Sequence, residues 1–125
     1  MKRIKLYTAF LIVFLFICIQ KTNSEVISMG QIEPPQKEGY AVLRVFGENG
    51  HAGLTKISDG ENEYSLYLYS GYAGAVSFYY ITPGTYTVTY INHSGSIATC
   101  NGTILQKGTI FTIYPNQTTA ALIYK

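Results

Sequence analysis

The chain has 125 residues, room for one domain, with 12 tyrosines, no tryptophan and only 13% charged residues. Its formal charge of +2 is unevenly placed: Lys2, Arg3, Lys5 and Lys21 precede Glu25, and all seven acids lie at or after it, so residues 25–125 hold five bases against seven acids and a net charge of −2. A mildly acidic body without a basic stripe makes a poor nucleic-acid binder, and two cysteines are too few for a disulfide scaffold.

The opening "MKRIK" is basic, Leu6 to Ile19 runs fourteen residues without a charge, and a polar "QKTNS" follows. This order predicts a secretory signal peptide over residues 1–24. The apolar run is short of the about 20 residues that a spanning helix needs. Thr22 and Ser24 place small side chains where a signal peptidase wants them, with cleavage before Glu25. Lipidation of Cys18 in "LFIC" is a second exit, with Leu15 at minus three but bulky Ile17 at minus one. An uncleaved anchor is a third. All three put the domain outside the cytoplasm, touching a membrane only through this segment. None leaves a partner for Cys100, which is therefore expected to be buried and reduced.

Residues 25–39 have no sustained period and contain Pro34-Pro35, so they read as a linker or stalk. The domain is expected over 40–125. There, "YAVLRVF", "LTKIS", "YSLYLYS", "AVSFYYIT", "TYTVTYI", "IATCNGTIL", "TIFTIY" and "TTAALIYK" are short β-branched and aromatic runs separated by turn residues. No window shows helical spacing. The pattern predicts an all-β fold: a small immunoglobulin-like or transthyretin-like antiparallel β-sandwich of about seven to eight strands. A domain this small has a thin core, and the tyrosines supply its buried area.

In "ITPGTYTVTY", Pro83 and Gly84 stand at the central positions of a type II turn. Tyr86, Val88 and Tyr90 then alternate with Thr85, Thr87 and Thr89, which predicts one apolar face turned inward. Tyr86, at the start of a strand after a tight corner, occupies the place of the tyrosine corner of sandwich folds. As a catalytic phenol it would need a base, and no partner can be assigned.

"AVLRVF", "PGTYTV" and "KGTIFTIY" follow one another as in a family of uncharacterised bacterial and archaeal surface β-sandwich domains, which the chain resembles over about Tyr40 to Tyr114. The shared features are an opening strand carrying an Arg (Arg44), the Pro-Gly-Thr-Tyr corner, and a late Gly-Thr-x-aromatic-Thr strand at Gly108 to Thr112. The turn "GENGHAG" lacks the proline usual in that family. The resemblance implies a secreted or envelope-attached module and carries no catalytic residue.

Few constellations could carry chemistry. "DGENE" spaces Asp59, Glu61 and Glu63 like calcium ligands, but Tyr64 and Ser70 stand where an EF-hand loop needs Gly and Glu. His51 and His93 are isolated, and a Cys100/His93 pair lacks an orienting group. No catalytic residue, metal or cofactor is expected. Asn92, Asn101 and Asn116 each open a glycosylation sequon. In "YSLYLYSGY", Tyr67 and Tyr69 alternate with Leu66 and Leu68. If the leucines face the core, these two rings face outward, where they can stack on sugars or dock a partner. The sequence thus leads to a non-catalytic extracytoplasmic module with a structural or adhesive role. The alternative is a carbohydrate-binding module using Tyr67 and Tyr69, with a glycan or a cell-surface protein as partner.

Overall fold

The computed structural model describes residues 24–69, 75–115 and 119–125. In chain order the strands are β1 (Val26–Gly30), β2 (Ala41–Gly47), β3 (Gly53–Ser58), β4 (Glu63–Leu68), β5 (Val76–Ile81), β6 (Gly84–His93), β7 (Ala98–Cys100), β8 (Thr103–Ile104), β9 (Ile110–Ile113) and β10 (Thr119–Tyr124). The other regular element among the described residues is a 3-10 turn at Glu48–Gly50. A six-stranded sheet in the order β1-β5-β2-β10-β7-β8 lies against a four-stranded sheet in the order β4-β3-β6-β9. The chain is an all-β sandwich.

Period-2 patterning makes the core. Leu43, Val45, Ile81 and Leu122 from the larger sheet meet Ile57, Leu66, Tyr86 and Val88 from the smaller one, all essentially without exposure. Each such side chain contributes about 1.5–3 kcal/mol by leaving water. Pairing is antiparallel except between β2 and β10, which run parallel in register from Thr119 opposite Val42 to Tyr124 opposite Gly47. These two strands lie in the middle of the larger sheet, and both read as near-continuous apolar runs, as strands covered on both faces do.

Two strands more than the eight read from the sequence are present. "IATCNGTIL" is a hairpin, with β7 and β8 joined at Asn101-Gly102, whose φ values of +49° and +83° are those of a type I′ turn. The second addition is β1, and it corrects the linker expected over residues 25–39. β1 pairs antiparallel with β5, from Val26 opposite Ile81 to Gly30 opposite Phe78. The ladder is prolonged where the Thr82 amide donates to the Glu25 carbonyl at 3.0 Å. The next segment crosses the outer face of the larger sheet, over a small apolar cluster of Val42, Phe78 and Tyr80. Pro34 is buried there, and the Tyr80 hydroxyl donates to the Pro35 carbonyl at 2.5 Å. The physical reason is that β5 carries apolar residues on both faces, so its outer row needs a cover, and this segment together with Ile27 and Tyr40 supplies one.

Candidate functional site

Pro83 and Gly84 take the chain from β5 in one sheet to β6 in the other. Gly84 opens β6 at φ +153°, well beyond the about +80° of a type II turn, so the pair forms an open corner between sheets rather than a closed hairpin turn. Two residues on, Tyr86 is 1% exposed. Its hydroxyl donates to the Thr82 carbonyl at 2.6 Å, and its ring stacks on Phe111 at 6.0 Å between centroids. Ring inward and hydroxyl bonded to upstream backbone is the tyrosine-corner arrangement. Burial raises the Tyr86 pKa. The phenol proton is thus held by a backbone carbonyl.

Farther along β6 the alternation breaks. Tyr90, expected inward with Tyr86 and Val88, is 43% exposed. The cause is a β-bulge: Ile57 of β3 opposes Val88 while the adjacent Lys56 opposes Tyr90, which leaves Thr89 as an extra residue. The Thr89 hydroxyl donates to the Glu63 carboxylate at 2.8 Å. Parity reverses beyond it, so Ile91 packs against the core and Tyr90 and Asn92 face out.

The bulge thereby assembles a face. Across β4, β3 and β6 the residues Tyr67, Leu54 and Asn92 form one row, and Ser65, Lys56 and Tyr90 form the next. Tyr67, Leu54, Tyr90, Asn92, His93 and Ser94 line an open groove of about 420 Å³, and no residue along its wall is an acid, a lysine or an arginine. Lys56 stands just outside, its Nζ 5.6 Å from the centre of the Tyr90 ring. Tyr67 is 42% exposed and Tyr69 72%. Their rings meet edge to face at 4.4 Å, with Tyr69 beyond the groove wall.

Buried tyrosines from the opposite sheet stiffen this face from below. β4 is an edge strand, and Tyr79 of β5 closes part of its free side. The Tyr67 amide donates to the Tyr79 hydroxyl at 2.8 Å, and that hydroxyl donates to the Tyr67 carbonyl at 3.1 Å. Tyr124 of β10 reaches through the core, its hydroxyl 2.8 Å from Thr55 Oγ1. Its ring lies so close to Gly53 that a Cβ there would come within 2.5 Å of it. The His93 ring stacks on Tyr124 at 5.4 Å, and its Nδ1 is buried with no hydrogen-bond partner among the described residues.

The other candidates are spent on structure. Asp59 Oδ1 accepts from the Glu61 and Asn62 amides, and Oδ2 accepts from the Ser24 hydroxyl. The Asn62 bond first, then the Ser24 bond, hold this carboxylate below its ordinary pKa. The loop is an Asx-type turn tied to the start of β1. Burial pushes the Cys100 thiol up to about 12, which keeps it protonated and a poor nucleophile. His51 Nδ1 lies 3.3 Å from Ser94 Oγ, beside the groove. Asn101 sits at positive φ with Oδ1 accepting from the Ala121 amide at 3.0 Å, whereas Asn92 stands exposed in the groove. Residues 1–23, including Cys18, and Asn116 lie outside the described residues.

Sequence reasoning placed Tyr67 and Tyr69 outward and missed Leu54, Tyr90 and Asn92. A signal for the missed set exists: Tyr90-Ile91 breaks the apolar alternation of Tyr86 and Val88, as a bulge does. No family model matches the chain, and comparison with curated proteins and with solved structures yields no match.

Proposed function

We propose that the chain is a secreted or envelope-anchored, non-catalytic β-sandwich module with a structural or adhesive role. The observation that carries this reading is the tyrosine face of the smaller sheet. Tyr67, Tyr69 and Tyr90 present large rings to solvent on one face, whereas Tyr79, Tyr80, Tyr86 and Tyr124 are buried and three of these four hydroxyls bond backbone carbonyls; Tyr114 is exposed outside this face. Exposed rings gathered beside a groove mark a contact surface, whereas rings scattered singly need no explanation. The groups best suited to covalent chemistry, Cys100 and Tyr86, are sealed in the core, which supports a binding role over a catalytic one. The basic-then-apolar opening of the chain supports export, and the resemblance to surface β-sandwich domains points the same way. A second reading, a carbohydrate-binding module using exposed strand tyrosines, is favoured by the groove beside Tyr67, whose wall holds no acid, lysine or arginine.

The test has two arms. Expressed with its full N-terminal region in a bacterial host, the protein is expected in the extracytoplasmic fraction; recovery from the cytoplasm alone overturns the export reading. Beads coated with the folded domain are expected to adhere to cell-envelope preparations, and Tyr67→Ala beads to adhere less. Equal adhesion by both overturns the assignment of the contact face.

A further inference from the structure

We infer that the groove between β4 and β6 binds a neutral oligosaccharide of at least two linked rings, with Tyr67 and Tyr90 as its two platforms and the Asn92 amide on its β6 side, in the row of Tyr67. The inference rests on the adhesive reading above and specifies its ligand. It differs from a pairing of Tyr67 with Tyr69, because those rings stand edge to face at an interplanar angle of 84°. One flat sugar face cannot lie on both. Tyr69 instead buttresses Tyr67 from outside the groove.

The geometry follows from register. Tyr67 and Tyr90 lie on opposite sides of β3, two strand spacings apart and one two-residue step out of row, which puts their Cα atoms about 12 Å from each other. That span exceeds one sugar ring and suits two or three joined in a chain. Leu54 forms the apolar floor between the two rings, directly opposite both Tyr67 and Asn92. A pyranose offers an apolar face of C–H groups bounded by hydroxyls. The rings and Leu54 match the C–H faces, and the Asn92 amide offers two donors and an acceptor to the hydroxyl rim. The wall carries no carboxylate, lysine or arginine, and besides Tyr67 and Tyr90 its one ionisable side chain is His93, so it offers little to compensate a charged ligand. Lys56, outside the wall, holds its Nζ 5.6 Å from the centre of the Tyr90 ring. The platform is preorganised: Tyr79 fixes the Tyr67 backbone, and the Thr89 bulge fixes the outward set of Tyr90.

The test is an oligosaccharide array carrying neutral and charged chains of one to six rings, followed by titration calorimetry with the best neutral trisaccharide found. At least one neutral chain of two or more rings is expected to bind, and its monosaccharide to bind at least about tenfold more weakly, since half the platform is then empty. Tyr67→Ala and Tyr90→Ala are each expected to weaken the trisaccharide about tenfold, and Tyr69→Ala by less than about threefold. Tyr90→Leu, which keeps apolar bulk without the flat ring, should weaken binding nearly as much as Tyr90→Ala while leaving the urea midpoint in place. Retention of charged chains alone, no retention of neutral chains, or indifference to both Tyr90 variants overturns the inference. If the array is blank while beads still adhere through Tyr67, the saccharide inference falls and the adhesive reading stands; if the beads fail as well, both fall.

Discussion

Replacing Tyr86 with alanine tests the corner that joins the two sheets. The side chain is 1% exposed, stacks on Phe111 and donates a 2.6 Å hydrogen bond to Thr82. Emptying a large buried aromatic site costs about 3–5 kcal/mol. Leaving the Thr82 carbonyl without its donor adds about 1 kcal/mol. The sum approaches the whole stability of a domain this small, about 5–10 kcal/mol. Tyr86→Ala is therefore expected to be unfolded or to melt in very low urea. Tyr86→Phe, which keeps the ring and loses only the hydroxyl, should cost about 1 kcal/mol. Tyr67→Ala should stay within about 0.5 kcal/mol, because its ring lies outside the core. The assay is urea unfolding of the three variants beside the wild type, read by far-UV circular dichroism, with the slope checked so that a midpoint shift reports stability. Tyr86→Ala melting like the wild type while Tyr67→Ala collapses would mean that the inner and outer faces have been exchanged, and the reasoning would fail.

Gly53→Ala is expected to destabilise by about 1–3 kcal/mol, because the new methyl drives into the Tyr124 ring; an unchanged urea midpoint would refute that contact. Removing residues 24–30 deletes β1 and should cost about 2–3 kcal/mol from the burial of Val26 and Ile27 alone, whereas a true stalk could be removed without effect. Stability should fall on the alkaline side. Burial raises Cys100 from 9.0 to about 12 and Tyr124 from 10.0 to about 12, so the unfolded chain loses these protons first. Their contribution is complete below pH 9 and is lost as the pH rises towards 12, which urea titrations at stepped pH will show; Cys100→Ala should flatten the first part of that decline. Thiol labelling of Cys100 should be slow in buffer and fast in denaturant.

The parts of the fold written locally were legible. Strand after strand could be read from alternation, and Leu66, Leu68, Tyr86 and Val88 fell on the inner face as their spacing requires. What escaped depends on partners distant in sequence. β1 has little pattern of its own; it is a strand because β5 offers it an edge. Asn101-Gly102 carries a strong hairpin signal, yet the flanking strands are so short that the run reads as one. The outward turn of Tyr90 comes from a bulge against β3, and bulges are set by pairing register. The candidate groove was half visible for the same reason. Tyr67 lies on a regular strand, whereas Leu54, Tyr90 and Asn92 join it only once β3 sits between β4 and β6. The Tyr79 clamp on Tyr67 required knowing how the two sheets face each other.

The parallel pairing of β2 with β10 governs when this domain can exist at all. Val42 waits for Thr119, so the centre of the larger sheet closes a loop of nearly the whole domain. Such long-range closure slows folding towards the millisecond-to-second range of all-β domains. Synthesis delivers β10 after every other strand, and until it arrives β7 and β8 have no neighbour to hold them in the sheet. A nascent chain therefore cannot lock into its final form early. For a chain exported as proposed above, that delay keeps it threadable through a translocation channel, and folding completes on the far side.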